Sequence, residues 1–163
     1  MKRIYIKESV CIGCHLCEVY CKLAHSESKD LVKAFTRKSP GPVPSLLVEE
    51  RRPVCFPVQC HHCDHPACVY ACLTGALLKD PNSGIVTVDG EKCIGCWTCI
   101  LACPSGAIAQ DTGQGKIVKC DLCAGKDLPV CVMNCPNEAL VYAEAQDDTV
   151  NDATISHLVK KRR

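Results

Sequence analysis

Sixteen of the seventeen cysteines in this 163-residue chain fall into four groups of four, and this pattern constrains the fold more than any other feature of the sequence. Cysteine at this density indicates a protein held together either by disulfides or by bound metal. The four groups, numbered in chain order, are Cys11, Cys14, Cys17 and Cys21; Cys60, Cys63, Cys68 and Cys72; Cys93, Cys96, Cys99 and Cys103; and Cys120, Cys123, Cys131 and Cys135.

The rest of the composition favours metal. The chain has only two Phe, four Tyr and one Trp, so it cannot bury a large aromatic core and needs another source of stability. Its first residues, MKRIYIKESV, lack the apolar core of a secretory signal, and no run approaches the roughly 18 apolar residues of a membrane span. We therefore expect a cytoplasmic protein without a membrane span, in which thiols stay reduced. The net charge of +1 indicates neither a nucleic-acid partner nor an anionic membrane surface.

The spacing within the groups indicates which metal is bound. Groups one and three follow C-x2-C-x2-C-x3-C, the run that ligates bacterial 4Fe–4S clusters, although Lys22 replaces the usual following proline in group one. Groups two and four are stretched variants, with four and seven residues before the third cysteine. Zinc would use separated C-x2-C pairs, whereas three cysteines within seven residues fit a cube better. The sequence therefore predicts four 4Fe–4S clusters whose ligands all come from the protein, which leaves no iron open to a substrate.

Short strands and turns are predicted around the groups. RIYIKES and LLVEERRPV are typical of strands, and GALLKDPNSGIVTVD and GAIAQDTGQGKIVK are typical of hairpins. The residues after each last cysteine are compatible with a helical turn, and this cysteine is expected to open a helix and point towards a neighbouring cube. Gly13 and Gly95 are predicted to let the backbone approach a cluster. Prolines predict a loop over residues 39–45, and the polar segment after Gln146 predicts a solvated tail.

Residues near the groups invite other interpretations. Group two has all four of its cysteines, so His61, His62 and His65 are predicted to lie at the surface or behind the ligands rather than on iron. Trp97 lies between two cluster cysteines and is predicted to exclude water or to contact a partner.

Two further features are less specific. Cys55 lies outside the groups and is predicted to be a small buried apolar residue. Three lysines lie next to grouped cysteines, where they either offset the negative charge of the cubes or remain in solvent: Lys22, Lys92 and Lys119.

Four such groups resemble the four-cluster iron–sulfur electron-transfer subunits of multi-subunit oxidoreductases, and the resemblance extends from about Met1 to Glu144, nearly the whole chain. That family includes the small subunits of DMSO reductase, formate dehydrogenase and formate hydrogenlyase. CIGCHLCEVYC, SKDLVKAF, QCHHCDHPACVYACLTGAL and CIGCWTCILACP are most similar to the soluble partners of anaerobic nickel carbon monoxide dehydrogenase and of tungsten aldehyde oxidoreductase.

The resemblance implies an α+β fold of two ferredoxin-like dicluster units, one nested in the other. The outer unit would comprise residues 1–53 and 113–146, the inner unit residues 54–112, and residues 147–163 the polar tail. Spacing alone leaves tandem pairing open, because the links from Cys72 to Cys93 and from Cys103 to Cys120 are similarly short. The ligand sets implied by the resemblance are Cys11, Cys14, Cys17 and Cys135; Cys120, Cys123, Cys131 and Cys21; Cys60, Cys63, Cys68 and Cys103; and Cys93, Cys96, Cys99 and Cys72.

Two functions of different classes follow. The first is an electron conduit that is not itself an enzyme, since the chain has no Walker loop, no G-x-G-x-x-G after a strand and no nucleophile–base pair. The second is a structural or redox-sensing protein whose cubes staple a small fold. Four clusters exceed what a staple or sensor needs, which favours the conduit.

The resemblance also implies two classes of partner. The first is a catalytic oxidoreductase subunit of the carbon monoxide dehydrogenase or tungsten aldehyde oxidoreductase type, with a formate dehydrogenase or hydrogenase complex as the alternative. The second is a flavin-containing NAD oxidoreductase subunit or a ferredoxin. Self-association is left open.

Overall fold

Short helices and strand pairs place the cysteines in the computed structural model, which describes residues 1–28, 30–36, 42–51 and 53–144. These described residues form four two-stranded antiparallel sheets. The strands are β1 (Lys2–Ile6), β2 (Leu46–Arg51), β3 (Val54–Gln59), β4 (Leu77–Lys79), β5 (Val86–Val88), β6 (Ile108–Asp111), β7 (Lys116–Lys119) and β8 (Leu140–Glu144).

Both predicted hairpins are confirmed: β4 pairs with β5, and β6 pairs with β7. In each turn the carboxylate of an aspartate accepts hydrogen bonds from the backbone N–H groups of the residues two and three positions further on. This is the geometry of an Asx turn. Asp80 accepts from Asn82 and Ser83, both at 3.1 Å. Asp111 does the same for Gly113 and Gln114, both at 3.0 Å.

The other two sheets include strands that the sequence did not indicate. The predicted strands at RIYIKES and LLVEERRPV are confirmed as β1 and β2, but their partners β8 and β3 were not predicted. β1 pairs with β8 near the other end of the described chain, with Lys2 opposite Glu144. β3 contains Pro57, which is tolerated because both strands of a two-stranded sheet are edges.

A short 3-10 helix (Glu8–Val10) and five α-helices complete the described residues; the α-helices are α1 (Leu16–Ala24), α2 (Leu31–Thr36), α3 (Ala67–Tyr70), α4 (Thr98–Ala102) and α5 (Val130–Met133). Except for α2, each α-helix has the third cysteine of a group as its second residue, and the fourth cysteine follows four residues later. In α1 the third and fourth cysteines, Cys17 and Cys21, lie one helical turn apart, whereas the other three helices end before the fourth cysteine. α1 packs against α5, and α3 packs against α4.

The prediction that the fourth cysteine opens a helix was wrong, since the helix precedes it. Cys103 directly follows α4 with extended backbone, φ −76° and ψ 113°. The proline after it explains this ending, because a proline disfavours helical backbone at the preceding residue. Group one has Lys22 instead of the proline, and there α1 continues through Cys21 to Ala24.

The buried side chains form two cores, and cysteines contribute to both. One contains Cys17, Cys21, Cys120 and Cys131 among the apolar side chains Ile4, Leu46, Val48, Leu122, Val132 and Leu140. The other contains Cys99 with Leu77, Val86, Ile108 and Ile117. These cores are small, as expected of a chain with few aromatic residues.

Part of the predicted organisation lies outside the described residues. This applies to the polar tail over residues 147–163 and to residues 39–41 of the predicted loop, whereas residues 42–44 are irregular as expected. Within the described ranges, every helix is too short or too polar to cross a bilayer.

Candidate metal centres

Three cavities are each lined by four cysteines, and in each set three cysteines come from one group and the fourth from another. The cavities contain about 360, 310 and 370 Å³ of space, open mouths included. In the same order, their cysteines are Cys11, Cys14, Cys17 and Cys135; Cys93, Cys96, Cys99 and Cys72; and Cys60, Cys63, Cys68 and Cys103.

The four remaining grouped cysteines also lie together. Cys21, Cys120, Cys123 and Cys131 are all buried. Burial raises the pKa of the Cys131 thiol far above its ordinary value, and the charges of Cys120, Cys21 and Cys123 raise it further. All sixteen grouped cysteines are therefore distributed over four sets of four.

The helix pairs explain this exchange between groups. Cys17 and Cys21 lie one turn apart on α1, which packs against α5, the helix that precedes Cys135. α1 can thus present Cys17 to one set and Cys21 to the next, while Cys131 and Cys135 do the reverse. α3 and α4 repeat the arrangement for groups two and three.

The four C-x2-C loops share one backbone feature. In each, the residue just before the second cysteine has a positive φ: Gly13 at 64°, His62 at 48°, Gly95 at 67° and Leu122 at 57°. Left-handed residues belong to the backbone nests whose N–H groups bind anionic centres, iron–sulfur clusters among them. His62 and Leu122 adopt this conformation at a cost of about 1–2 kcal/mol each, which indicates that the loop shape is enforced by its surroundings.

Backbone N–H groups donate hydrogen bonds to the cysteine sulfurs. Ala107 N–H donates to Cys103 Sγ at 3.4 Å, and Ala139 N–H donates to Cys135 Sγ at 3.2 Å, each from four residues further along the chain. Equivalent bonds reach the sulfurs of Cys21, Cys60 and Cys120 from the N–H groups of Ser45, His62 and Leu122. Such bonds favour the thiolate, which is the form that binds metal.

Burial opposes that ionisation. It raises the pKa of the Cys17 thiol and of the Cys120 thiol to about 12. Thiolates in these positions need a compensating positive charge, and iron ions bound to all four sulfurs would provide it. Four converging thiols, N–H donors and dry surroundings fit a 4Fe–4S cube.

The sets differ in exposure. Cys14 and Cys96 are exposed, whereas every cysteine of the set around Cys131 is buried. Cys60 lies close enough to Cys120 for its charge to raise the pKa of that thiol further, after the larger effect of burial. The set around Cys60 is therefore next to the buried set, and the exposed cysteines belong to the other two sets.

The three histidines near group two and Trp97 differ in burial. His61 and His65 are exposed, but His62 is only 1% exposed and accepts a hydrogen bond from Val86 N–H at its Nδ1, 3.0 Å away. Burial lowers the pKa of His62 to about 3, so the ring is neutral and ties the group-two loop to β5. Trp97 is half-buried and lines the cavity of Cys93, consistent with a role in excluding water.

Cys55 was predicted to be buried and is half-buried instead. It lies beside the group-one loop, where a Cβ added at Gly13 would be 2.8 Å from Cys55 Sγ. The corresponding Cβ at Gly95 would be only 2.2 Å from the carbonyl oxygen of Gly115, in the β6–β7 turn. Both glycines therefore allow close approach, although the neighbour in each case is another segment of the chain.

Sequence reasoning missed the hydrogen bonds around Cys21. His25 Nδ1 donates to the Cys21 carbonyl oxygen at 2.8 Å, and its Nε2 lies 3.3 Å from Asp121 Oδ1. The Asp121 carboxylate raises the pKa of His25 to about 11, and His25 in turn lowers the pKa of Asp121 to about 2. This ion pair links α1 to the group-four loop, and no motif in the sequence indicated it.

The three lysines beside cysteines differ in burial. Lys22 is half-buried, with its Nζ 4.7 Å from the centre of the Phe35 ring, and Lys92 is exposed and pairs with Asp89 at 3.2 Å. Lys119, in contrast, is only 5% exposed.

Comparison with known proteins identifies the family. Residues 52–145, more than half of the chain, match the family described as 4Fe–4S dicluster domain. The chain is 32% identical to a subunit of the sulfite dehydrogenase of Allochromatium vinosum, over 98% of this chain and 74% of that protein. It is 34% identical to the thiosulfate reductase electron transfer subunit PhsB of Salmonella typhi, over 88% of this chain and 76% of that protein.

A longer relative contains the same kind of sequence as one part. The putative oxidoreductase AegA of Escherichia coli K12 is 34% identical over 94% of this chain, which spans only 22% of the length of AegA. The matches to the family and to the two subunits, together with the clustered cysteines, lead to one conclusion: this chain belongs to the 4Fe–4S dicluster family of iron–sulfur proteins.

Proposed function

We propose that this chain is an electron-transfer subunit that holds four 4Fe–4S clusters and relays low-potential electrons between two redox partners. The observation that carries the proposal is the set of cavities lined by four cysteines, three from one group and one from another. The ligands of the four clusters would be Cys11, Cys14, Cys17 and Cys135; Cys120, Cys123, Cys131 and Cys21; Cys60, Cys63, Cys68 and Cys103; and Cys93, Cys96, Cys99 and Cys72.

This ligand assignment makes the fold two nested dicluster units, an outer one of residues 1–53 and 113–146 and an inner one of residues 54–112. The two separate cores support this division, since one contains cysteines of groups one and four and the other a cysteine of group three. The packing of α1 on α5 and of α3 on α4 supports it as well.

Each bound cube would take up and release one electron at a time, and the remaining work is done by the chain itself. Its thiolates hold the iron, its N–H groups stabilise charge on sulfur, and its apolar side chains exclude water. We assign no catalytic residue to the chain, which would pass electrons from one protein to another.

The proximity of Cys60 to Cys120 supports a linear order of cubes. The cubes around Cys131 and Cys60 would be central, and the cubes around Cys14 and Cys96 would be at the two ends. Both end cysteines are exposed, and each lies beside an exposed isoleucine, Ile12 at 62% and Ile94 at 66%. Electrons could therefore enter at one end and leave at the other, where apolar side chains favour small protein contacts.

One partner would be a catalytic oxidoreductase subunit, as the names of the relatives suggest by analogy. Carbon monoxide dehydrogenase and tungsten aldehyde oxidoreductase remain our candidates from the sequence resemblance, and the relatives add sulfite- and thiosulfate-converting enzymes. The other partner would be a flavin-containing NAD oxidoreductase subunit or a ferredoxin.

The test begins with protein purified without oxygen. We expect about sixteen iron and about sixteen sulfide per chain, four of each per cube. Mixing the protein with each candidate enzyme and its substrate should then bleach the clusters. Stoichiometric zinc, or iron near eight, would contradict the cluster assignment. Clusters that stay oxidised with every candidate enzyme, including formate and hydrogen enzymes, would contradict the conduit.

A further inference from the structure

Lys119 is a buried cation whose charge is not balanced by a carboxylate among the described residues. It is the last residue of β7, and its side chain lies inside the protein with 5% exposure. Buried charges are normally paired, because removing an ammonium from water is expensive. Within the described ranges, the ion pairs between side chains do not include Lys119.

The ammonium of Lys119 lies where the two proposed units meet. Its Nζ donates to the carbonyl oxygen of Val86 in β5 and, at 2.7 Å, to the carbonyl oxygen of Cys120 in group four. Val86 N–H in turn donates to His62 in the group-two loop. One lysine thus links a hairpin of the inner unit to a ligand loop of the outer unit.

Two proposed cluster sites adjoin this ammonium. Cys120, whose carbonyl oxygen accepts from Lys119, belongs to the buried set, and Val86, whose carbonyl oxygen also accepts, lines the cavity of Cys60, Cys63, Cys68 and Cys103. These are the two central sets of cysteines. Thiolate-ligated cubes bound there would supply the negative charge that no carboxylate of the described residues supplies to Lys119.

Position matters here because neither of the two central sets contains an exposed cysteine, whereas each end set contains one, Cys14 or Cys96. Cluster potentials depend on net charge and solvent exposure, and low dielectric disfavours the more negative, reduced state. Without a compensating charge, an electron would have to pass from an exposed end cube onto central cubes that are harder to reduce.

We propose that the Lys119 ammonium raises the reduction potentials of the two central cubes and so keeps them accessible to electrons arriving from either end. This inference rests on the proposed function, since it requires both central cubes. Lys119 acts through its charge and touches no substrate. Each cube takes up one electron, and no bond is made or broken.

The test is a redox titration of the purified holoprotein, with dithionite as the reductant and the potentials of the four cubes read by electron paramagnetic resonance. The end cubes are identified first, as the signals that change in Cys14→Ser and Cys96→Ser. Lys119→Met and Lys119→Gln remove the charge, Lys119→Arg keeps it, and Lys116→Met removes a lysine from the same strand as a control.

We expect both neutral variants to lower the two central potentials, each by at least a tenfold change in the equilibrium constant for reduction, which is about 59 mV for one electron. The end cubes should move much less, and Lys119→Arg and Lys116→Met should resemble the unaltered protein. Equal shifts at all four cubes, no shift, or an effect of Lys119→Arg as large as that of Lys119→Met would overturn the proposal.

Iron content distinguishes a failure of this inference from a failure of the proposed function. Unaltered protein with fewer than about sixteen iron per chain would contradict the four-cluster assignment itself. Unaltered protein with the full iron content, but loss of a cube from both Lys119→Met and Lys119→Gln, would overturn the inference alone. Lys119 would then be required for assembly and not for the potential.

Discussion

The two CIGC loops offer a sharp test of how tightly the cluster loops are packed. Gly13 and Gly95 have nearly the same backbone conformation, with φ of 64° and 67°, but they meet different neighbours. A Cβ at Gly95 would lie 2.2 Å from the Gly115 carbonyl oxygen, which belongs to backbone and cannot rotate away. Gly75 has φ of 65° and open space within 4 Å, so it is a matched control.

The expected loss of stability has two sources, the left-handed backbone and the overlap of the added Cβ with its neighbour. An alanine in left-handed backbone costs about 1–2 kcal/mol, and this cost applies to Gly75→Ala and Gly95→Ala alike. Overlap with packed atoms adds about 1–3 kcal/mol at Gly95 only. We therefore expect Gly95→Ala to accelerate cluster loss about 5- to 150-fold relative to Gly75→Ala. The assay is the loss of cluster absorbance at a fixed guanidinium concentration without oxygen.

Gly13 provides a rescue that Gly95 cannot. Its added Cβ would lie 2.8 Å from Cys55 Sγ, and Cys55→Ala removes that sulfur. We expect the Gly13→Ala variant to lose its clusters faster than Gly75→Ala. When Gly13→Ala is combined with Cys55→Ala, the rate of cluster loss should fall to that of Gly75→Ala. The coupling between the two changes should be about 0.5–3 kcal/mol. Additive effects at Gly13 and Cys55, or a Gly95→Ala variant as durable as Gly75→Ala, would refute the reasoning.

Three further predictions concern the ligands and their support. Cys21→Ser should disturb the same paramagnetic signal as Cys123→Ser, and Cys135→Ser the same signal as Cys14→Ser; a signal shared by Cys21→Ser and Cys63→Ser would instead indicate tandem pairing. Removing iron with a chelator should abolish the cooperative thermal transition seen by circular dichroism, because cysteines occupy much of the buried core. His62→Ala should leave the buried Val86 N–H without its acceptor, costing about 1–3 kcal/mol, and should speed cluster loss, whereas alanine at the exposed neighbour His65 should not.

The sequence was most informative where a local pattern determines local structure. The hairpins were predicted because Asp80 and Asp111 form turns with residues two and three positions away. Cysteine spacing likewise placed three thiols in each loop. Helices of four or five residues are too short to show the periodicity that identifies a helix, so α3, α4 and α5 were not predicted.

Features that depend on distant segments could not be predicted in this way. β8 becomes a strand because β1 pairs with it across almost the whole described chain, although its first residue, Leu140, also ends the segment PNEAL, which is compatible with a helical turn. The burial of His62 and Lys119 depends on β5 covering both, through Val86. Neighbouring residues in the sequence, such as His61 and Lys116, carry the same chemical groups and remain accessible, so residue type alone could not distinguish them.

The sharing of cysteines between groups has a consequence for how this protein assembles. Each cavity is complete only when a helix delivers the fourth cysteine from another group, and the set containing Cys11 and Cys135 joins the two ends of the described chain. The Asn137 side chain, two residues beyond Cys135, donates a hydrogen bond to the Val10 carbonyl oxygen, 127 residues away in the sequence. A contact between protein groups therefore closes the same long loop. Closing so long a loop costs conformational entropy, which a bound cube with ligands from both sides would offset. If the units are nested as proposed, the inner unit closes a much shorter loop, and we expect it to form first and to bring groups one and four together around it.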